Sequence, residues 1–387
     1  MISVLDQVNQ FVLRKQHLTE ETRSDDIVQT VRDVVGLHAT GSTTPYLSLF
    51  SRTRDFTRDK LDRELYVKRS LGKIRCVRKT VYVLPRDVIP VAFAATRSVI
   101  EPISVKYSKY LGVSQDVYED TSRRISSALR GKGMTTKEIK KALGTELNIS
   151  PIVNLMCDKG LLIRGEPKAG WKSNMHTYRL FHEYFPGLDL NVFDEEQARK
   201  LMVEQYLASF GPATEDDVAW WTGFPKGQTR RILRELEDKV SSVEISGLRG
   251  RYLSISSDRA PLIAAKPPSK SVLAMLPGLD PYLMGYKDRE RYLDNEYYDF
   301  VFDRSGNATS TILVDGRVTG VWDIKETLAK IFLFTDLEAN ILERIRIKAE
   351  EVGRFISRGK VDVRECDSMI PLPERTAGGV MAPLKYS

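Results

Sequence analysis

The side chains best suited to metal or redox chemistry are few, and they lack the spacing of a metal site. These histidines and cysteines are His17, His38, His176, His182, Cys76, Cys157 and Cys366. They form neither an HExxH pair nor a CxxC pair, the spacings that bring zinc ligands together. Three scattered cysteines also give no disulfide framework and indicate reduced thiols in a cytoplasmic protein. We therefore predict no metal and no other cofactor.

One glycine-containing run, GKGMTTK at 131–137, has the composition of a phosphate-binding loop but not its GxxxxGK[ST] spacing. A capped helix start explains this run better. Thr135 stands three residues before Glu138, so its hydroxyl and the carboxylate can satisfy each other's backbone donors in a capping box. We predict a helix here and exclude a nucleotide-hydrolysing enzyme of this type.

The composition is that of a folded, soluble protein. The chain has 387 residues, 42% hydrophobic and 29% charged, which predicts two to three domains and excludes general disorder. Neither a membrane-spanning apolar run nor the apolar core of a signal peptide is evident. The net charge of +7 and pI near 9.1 favour a polyanionic partner such as nucleic acid, although many basic proteins bind none.

The middle of the chain has the element order of a winged helix. The helix that follows Thr135 is closed by Gly144, and Ser150 with Pro151 predicts the cap of a second helix that ends at Gly160. The β-rich runs LLIRGE and HTYRLF then predict a hairpin. Helix, helix and hairpin in this order indicate a winged helix over 113–190.

The following segment, 191–262, repeats this layout. Thr214 and Asp217 predict the cap of the helix DDVAWW, and Gly223 predicts the turn after it. The run QTRRILRELED predicts an amphipathic helix. The runs VSSVEIS and RYLSIS flank the turn GLRG and predict a wing. A less regular copy opens the chain over 1–112. There Ser24 is expected to cap a helix, KIRCVRKTVYVLP to form the hairpin, and the polar stretch EPISVKYSKYLG to follow the last helix.

The remaining segment, 263–387, is expected to be β-rich. AAKPPSK at 264–270 is typical of a linker, and TILVDGRVTGVW predicts two strands joined by a turn at Asp315 and Gly316. LEANILERIRIKAEEVGRFIS predicts one helix. The expected fold is therefore α+β, with three tandem winged-helix units and a β-rich C-terminal domain.

Three stretches carry a resemblance to a known family. They are GPATEDDVAWWTG at 211–223, MLPGLDPYLMGYKDR at 275–289 and TILVDGRVTGVW at 311–322. The chain resembles the AlkZ/YcaQ-type winged-helix DNA glycosylases. The resemblance implies three winged helices and a C-terminal β-barrel-like domain around a basic channel for duplex DNA. It also implies a monofunctional base-excision repair enzyme that hydrolyses the N-glycosidic bond of alkylated or bulky-adducted purines.

The family carries a Gln-x-Gln or Gln-x-Asp motif at the end of the helix before a segment like PYLSLFSR. Here His38, Ala39 and Thr40 occupy that position. The resemblance thus implies catalytic roles for His38 and Thr40, and places Arg78 and Thr80 near the lesion pocket. A neutral His38 with a pKa near its usual value of about 6.5 would accept a proton from the attacking water. The alternative is a non-catalytic or regulatory winged-helix DNA-binding protein.

Basic residues in the third unit are candidates for DNA contacts. We expect phosphate contacts from Arg230, Arg231 and Arg234 of the helix, and from Arg249 and Arg251 of the wing. Some of these side chains would instead pair with Glu235 or Asp238. Asp280 and Arg289 are expected to stabilise the C-terminal architecture. Tandem units in one chain make a monomer sufficient.

Overall fold

The computed structural model describes residues 2–266, 270–375 and 384–386. The α-helices are α1 (Leu5–Lys15), α2 (Ile27–Asp33), α3 (Thr44–Phe50), α4 (Arg58–Asp62), α5 (Ile89–Tyr110), α6 (Gln115–Ala128), α7 (Thr136–Leu143), α8 (Ser150–Asp158), α9 (Phe181–Tyr184), α10 (Glu195–Phe210), α11 (Glu215–Thr222), α12 (Lys226–Glu235), α13 (Arg259–Ala264), α14 (Pro281–Met284), α15 (Tyr298–Val301) and α16 (Ala339–Ser357). The strands are β1 (Ile2–Val4), β2 (Leu37–His38), β3 (Leu71–Arg75), β4 (Val81–Pro85), β5 (Met134–Thr135), β6 (Leu162–Pro167), β7 (His176–Leu180), β8 (Val240–Ser246), β9 (Tyr252–Ile255), β10 (Leu273–Leu276), β11 (Thr311–Val314), β12 (Arg317–Lys325), β13 (Leu328–Leu333) and β14 (Asp362–Glu365).

This mixture of helices and sheets confirms the α+β class. Unit 1 comprises residues 1–26, 46–56 and 206–387, and unit 2 comprises residues 27–45 and 57–205. The division into the four predicted segments 1–112, 113–190, 191–262 and 263–387 is finer than these two units and stays a prediction. Positions 267–269 of the predicted linker lie outside the described residues. No helix in the described part of the chain combines the length and apolarity needed to cross a membrane.

A six-stranded sheet with the order β2-β4-β3-β6-β7-β5 runs through unit 2. The predicted hairpins β3/β4 and β6/β7 are both present and antiparallel. A single residue pair, Lys73 with Arg164, joins β3 to β6. Helices α6, α7 and α8 pack against β6 and β7 through fully buried Ile125, Ile139 and Ile152.

Capping residues set the helix boundaries largely as predicted. Thr135 and Glu138 form both bonds of the capping box, and Gly144 ends α7 in the left-handed conformation with φ of +60°. Thr214 and Asp217 form a second capping box on α11. The prediction for Ser150 was wrong: it is the first residue of α8, and the Asn148 side chain accepts a hydrogen bond from its backbone N–H at 3.2 Å.

The polar stretch after residue 100 was expected to lie beyond a helix, but it belongs to α5, which runs on to Tyr110 through Pro102. The helix was missed because the face of this stretch that packs inward is polar. Ser104 and Ser108 are buried, and the Ser104 hydroxyl donates to the Asp158 carboxylate at 2.5 Å. A face of small hydroxyl residues packs closely but carries no apolar periodicity in the sequence.

Unit 1 contains two sheets. The first, β1-β8-β9, includes the hairpin β8/β9, whose interpretation as a wing stays a prediction; the second has the order β10-β11-β12-β13-β14. Asp315 and Gly316 form the β11–β12 turn with φ of +50° and +87°, which matches the predicted hairpin. The expected barrel-like arrangement was wrong for the described residues. Their C-terminal sheet is open, with β10 and β14 at its edges, and α16 packs on it through Ile345 and Ala349.

A buried ion pair anchors the short segment 46–56 within unit 1. The Arg52 guanidinium donates to both Asp280 oxygens at 2.7 and 2.8 Å, and both side chains are 0% exposed. The Ser48 hydroxyl and the Tyr282 backbone N–H also donate to this carboxylate, at 2.7 and 3.0 Å. The charge of Asp280 is thus compensated and its oxygens are hydrogen-bonded, which is the condition for a tolerable buried pair.

We predict that Arg52→Met lowers the free energy of unfolding by about 3 to 5 kcal/mol, because it leaves the Asp280 charge buried without its partner. Urea unfolding measures this change. The control is Arg54→Met, which removes an exposed pair with Asp25 at 3.9 Å and should change stability by under about 1 kcal/mol. Equal losses in the two variants would contradict the anchoring role.

Candidate active site and basic groove

The candidate catalytic histidine lies on a short edge strand and not, as predicted, at a helix end. Helix α2 ends at Asp33, and β2 then pairs with β4 so that His38 faces Tyr82. Gly36 makes this approach possible. Its φ is +91°, and a Cβ there would lie 2.5 Å from a Leu84 methyl carbon and 3.0 Å from the Val83 carbonyl oxygen.

His38 is closely enclosed. The residue is 4% exposed, its ring centroid lies 4.3 Å from that of Tyr82, and the Tyr82 oxygen is 2.7 Å from Nε2. The other ring nitrogen, Nδ1, is buried and has no hydrogen-bond partner among the described residues. A buried polar atom without a partner is costly, so Nδ1 is the one atom of this ring left to bind something else.

The surroundings keep His38 neutral. Burial, and secondarily the charge of Arg78, lower its pKa to about 3. This corrects the expected pKa near 6.5, which holds for a solvated imidazole. With a pKa so low, the ring is too weak a base to keep a proton at neutral pH. It can still accept or donate a hydrogen bond as a neutral group.

The structure brings Arg78 and Thr80 close to His38 but leaves Thr40 outside. Arg78 lies in the β3–β4 turn with φ of +49°, and its charge acts on the His38 ring. The Thr80 hydroxyl donates to the Val77 carbonyl at 3.0 Å. Thr40 lies beyond the end of β2 and is exposed to solvent.

Tyr82 belongs to this cluster although no sequence motif singled it out. It is 3% exposed, and burial raises the pKa of its phenol well above the usual range, so it stays protonated. Its phenol oxygen contacts His38 Nε2 directly. The only sequence signal was a tyrosine in an otherwise aliphatic strand, two residues from a candidate lesion-pocket threonine.

Part of the predicted basic surface forms a groove in unit 1. The groove has a volume of about 480 Å³ and includes Arg230 and Arg234 of α12 and Arg251 at the edge of β9. Arg231 and Arg249 are exposed but do not line it.

Acidic residues reduce the charge of this groove. Arg230 is held by Glu215 at 2.8 Å, and Glu237 also lines the wall. Arg231 pairs with Glu235 at 3.8 Å, one of the alternatives predicted from the sequence. Arg251 donates to the Ser242 hydroxyl at 3.1 Å. Exposed ion pairs of this kind are weak, so a phosphate can replace the carboxylate.

Comparison with known proteins gives one consistent result. A family model described as "DNA glycosylase AlkZ-like" matches residues 31–354. A curated relative from Streptomyces sahachiroi, named interstrand DNA cross-link repair glycosylase, is 24% identical over 326 residues, which are 79% of this chain and 84% of the relative. The solved structure of Streptomyces sahachiroi DNA glycosylase AlkZ has a TM-score of 0.78 at 20% identity, covering 94% of this chain and all of that one.

We predict a pH dependence of stability from His38. Its folded-state pKa near 3 lies below the unfolded value near 6.5, so the unfolded state binds the proton first. As the pH falls from about 6.5 towards 3, this site lowers the free energy of unfolding by about 1.4 kcal/mol per pH unit. His38→Gln should lack this contribution.

Urea unfolding of both proteins between pH 4 and 9 measures the difference. Above pH 8 the two curves should run parallel, because His38 is then neutral in both states. His176, whose pKa is lowered to about 4, is present in both proteins and cancels. Parallel curves down to the lowest pH would contradict the depressed pKa.

Proposed function

Because this chain belongs to the family of AlkZ-like DNA glycosylases, we propose that it is a monofunctional glycosylase that removes alkylated or bulky-adducted purines from duplex DNA. The family match over 31–354 supports glycosidic hydrolysis. The name of the Streptomyces relative favours bulky lesions, including cross-linked bases. The observation that carries the proposal is the neutral His38 with its unpaired Nδ1, placed at the motif position of the family.

The proposed reaction needs little acid–base help from the protein. A purine alkylated at N7 or N3 is already cationic, so it leaves with the electrons of the C1′–N bond without prior protonation. Water adds to C1′ of the oxocarbenium-like sugar and releases a proton to solvent. His38 holds that water through a hydrogen bond and does not keep its proton. Because the ring is neutral, it does not repel the cationic base or sugar.

In this scheme Arg78 lies beside a reaction that develops positive charge. A guanidinium beside the lesion would oppose positive charge on the sugar, yet the same group binds phosphate well. We therefore assign Arg78 to a backbone phosphate next to the lesion. We assign Thr80, immediately before β4, to the lesion pocket, and Thr40 is exposed where it can contact the bound DNA.

Duplex DNA is the proposed partner of the whole helix-and-hairpin framework. We assign winged-helix units to α6, α7, α8 with β6/β7, to α10, α11, α12 with β8/β9, and to the segment ending in β3/β4. The groove of Arg230, Arg234 and Arg251 would take backbone phosphates. The reaction consumes only water, so the proposal includes no cofactor, and a cytoplasmic monomer suffices.

A second candidate function is DNA binding without chemistry. The burial of His38 favours it, since Nδ1 reaches water only after β2 or a neighbouring side chain moves. Under this alternative the tandem units bind the DNA backbone, and the replacement of the glutamine motif has abolished the glycosylase activity.

We predict that the protein releases 7-methylguanine from duplex DNA and that His38→Ala lowers the single-turnover rate by about 100-fold, the usual effect of removing one transition-state contact. Mass spectrometry of the freed base measures both rates. A panel of bulkier N7 adducts is treated in parallel.

The control is His182→Ala, which removes an exposed histidine on α9 and should leave the rate unchanged. DNA binding by His38→Ala should persist. Binding without release of any base from the whole panel would reject the enzyme and favour the second candidate.

We also predict that Arg234→Ala and Arg251→Ala each weaken binding to undamaged duplex and lower the slope of log Kd against log salt by about 1, as one phosphate contact is lost. Fluorescence anisotropy across a salt series measures the slope. Arg354→Ala on α16, outside the groove, serves as the control. An unchanged slope in both groove variants would remove this surface from the DNA interface.

A further inference from the structure

Another pocket of unit 1 lies between the segment that follows α1, the start of β10 and one face of α16. Its volume is about 430 Å³, which is within the range of small-molecule sites. It shares no lining residue with the groove of Arg230, Arg234 and Arg251. Its basic side chains are those of Arg23, Lys270, Arg344 and Lys348. We call it the Arg23 pocket.

Arg23 brings to this pocket a donor that the described residues do not satisfy. Its backbone is fixed, because its N–H donates to the Thr19 carbonyl at 3.2 Å and the N–H of Ser24 donates to the Arg52 carbonyl at 3.2 Å. The guanidinium nitrogen Nε is buried and has no hydrogen-bond partner in the part of the chain that the structure describes. A buried N–H without an acceptor is costly, so Nε favours a ligand that supplies one.

Helix α16 supplies two of the other cations from a single face. Arg344, Ile347 and Lys348 are three and four residues apart, which is the spacing of neighbours on a helix surface. Arg344 is oriented from the β10 side, where the Ser271 carbonyl accepts a hydrogen bond from its Nη2 at 2.6 Å. That bond uses one of the five N–H donors of the guanidinium, so donors remain for a ligand.

Basic groups outnumber carboxylates around the Arg23 pocket. Lys348 pairs with Glu351 at 2.5 Å, and Glu20 and Glu21 also line the walls, so four basic groups are balanced by three carboxylates. Both Glu20 and Glu21 are exposed, and water and salt therefore screen their repulsion of an anion. Together with the unsatisfied N–H of Arg23, this balance favours an anionic ligand.

The shape and the donors of the pocket fit a phosphate that carries an organic group. Two arginines on separate walls need several acceptor oxygens, which a phosphate offers and a carboxylate, with two, does not. The volume exceeds that of a phosphate alone. Ile347, which is 47% exposed, adds an apolar surface beside the cations, as suits a sugar or a base attached to the phosphate.

We propose that the Arg23 pocket binds the phosphate of a nucleotide, with Arg23 and Arg344 donating to the phosphate oxygens. The nucleotide is either free or part of the DNA. A free nucleotide would be a ligand beyond the proposed function. A DNA phosphate rests on the proposed function and adds a second contact surface to the groove of unit 1.

Isothermal titration calorimetry of the full chain with deoxyadenosine 5′-monophosphate tests the proposal, with deoxyadenosine as the ligand that lacks the phosphate and with the ionic strength held constant. The monophosphate should bind about tenfold or more tightly than the nucleoside, and Arg23→Ala should weaken it by a similar factor, because charge-assisted hydrogen bonds are lost. The control is Arg346→Ala, an exposed arginine of α16 that pairs with Glu365 at 3.6 Å and does not line the pocket.

A second variant keeps the test decisive if Arg23→Ala does not fold. Lys270→Glu reverses the charge of an exposed side chain at the pocket and should weaken the monophosphate by about threefold or more. Lys360→Glu makes the same change at an exposed position outside the pocket and should leave the affinity unchanged.

Binding to an undamaged duplex identifies the source of the phosphate. If it belongs to DNA, Arg23→Ala weakens duplex binding, lowers the slope of log Kd against log salt by about 1, and the monophosphate competes with the duplex. If the nucleotide is free, duplex binding by Arg23→Ala equals that of Arg346→Ala, while the affinity for the monophosphate still falls. Either result supports the Arg23 pocket.

Two results would overturn it. One is a monophosphate affinity that is equal in the wild type and the pocket variants, since the ligand would then bind elsewhere. The other is a wild type that does not bind the monophosphate, together with an Arg23→Ala variant whose duplex affinity and salt slope are unchanged. Neither measurement involves base excision, so a protein that releases no base rejects the proposed function and leaves this test intact.

Discussion

The Arg52–Asp280 ion pair is the interaction on which the arrangement of unit 1 depends. Both groups are fully removed from water, which is tolerable only when the two charges are paired and the carboxylate oxygens are hydrogen-bonded. Ser48 and the Tyr282 backbone supply the further hydrogen bonds to Asp280. The pair thereby fixes α3 against α14 and brings Leu47 and Phe50 onto α16, where Phe50 stacks on Phe355 at 4.6 Å.

In unit 2 the main constraint is the burial of a polar side chain, because the imidazole ring of His38 is shielded from water and uncharged. Burial penalises the imidazolium, and Arg78 adds to the penalty, so His38 stays neutral. A solvated histidine would be partly protonated near neutral pH and would repel a cationic leaving group. The same burial that weakens His38 as a base also removes the repulsion that a protonated ring would exert on the cationic base of the proposed reaction.

The groove of unit 1 shows why net charge alone does not define a DNA interface. Three arginines line it, yet Glu215 and Glu237 share the same walls. Carboxylates of this kind hold arginine side chains in an ordered, exposed position at little energetic cost.

Elements whose signals are local could be predicted from the amino-acid order alone. The capping boxes at Thr135 and Thr214, the Asp315–Gly316 turn and the β-rich runs of the hairpins depend on neighbouring residues, and the structure contains all of them. The family followed from motifs that are continuous in the chain. The helical course of 101–110 was missed because its buried face is serine, which has no hydrophobic period.

The state of His38, by contrast, depends on tertiary contacts. Its neutrality, its bond to Tyr82 and its place on a strand arise from β2 pairing with β4, residues more than forty positions apart in the chain. Likewise, nothing local in the sequence shows that the described C-terminal strands form an open sheet or that Arg52 meets Asp280. Strand pairing and side-chain burial depend on contacts between residues far apart in the chain. The pKa of a buried group depends on all the neighbouring atoms that shield it from water.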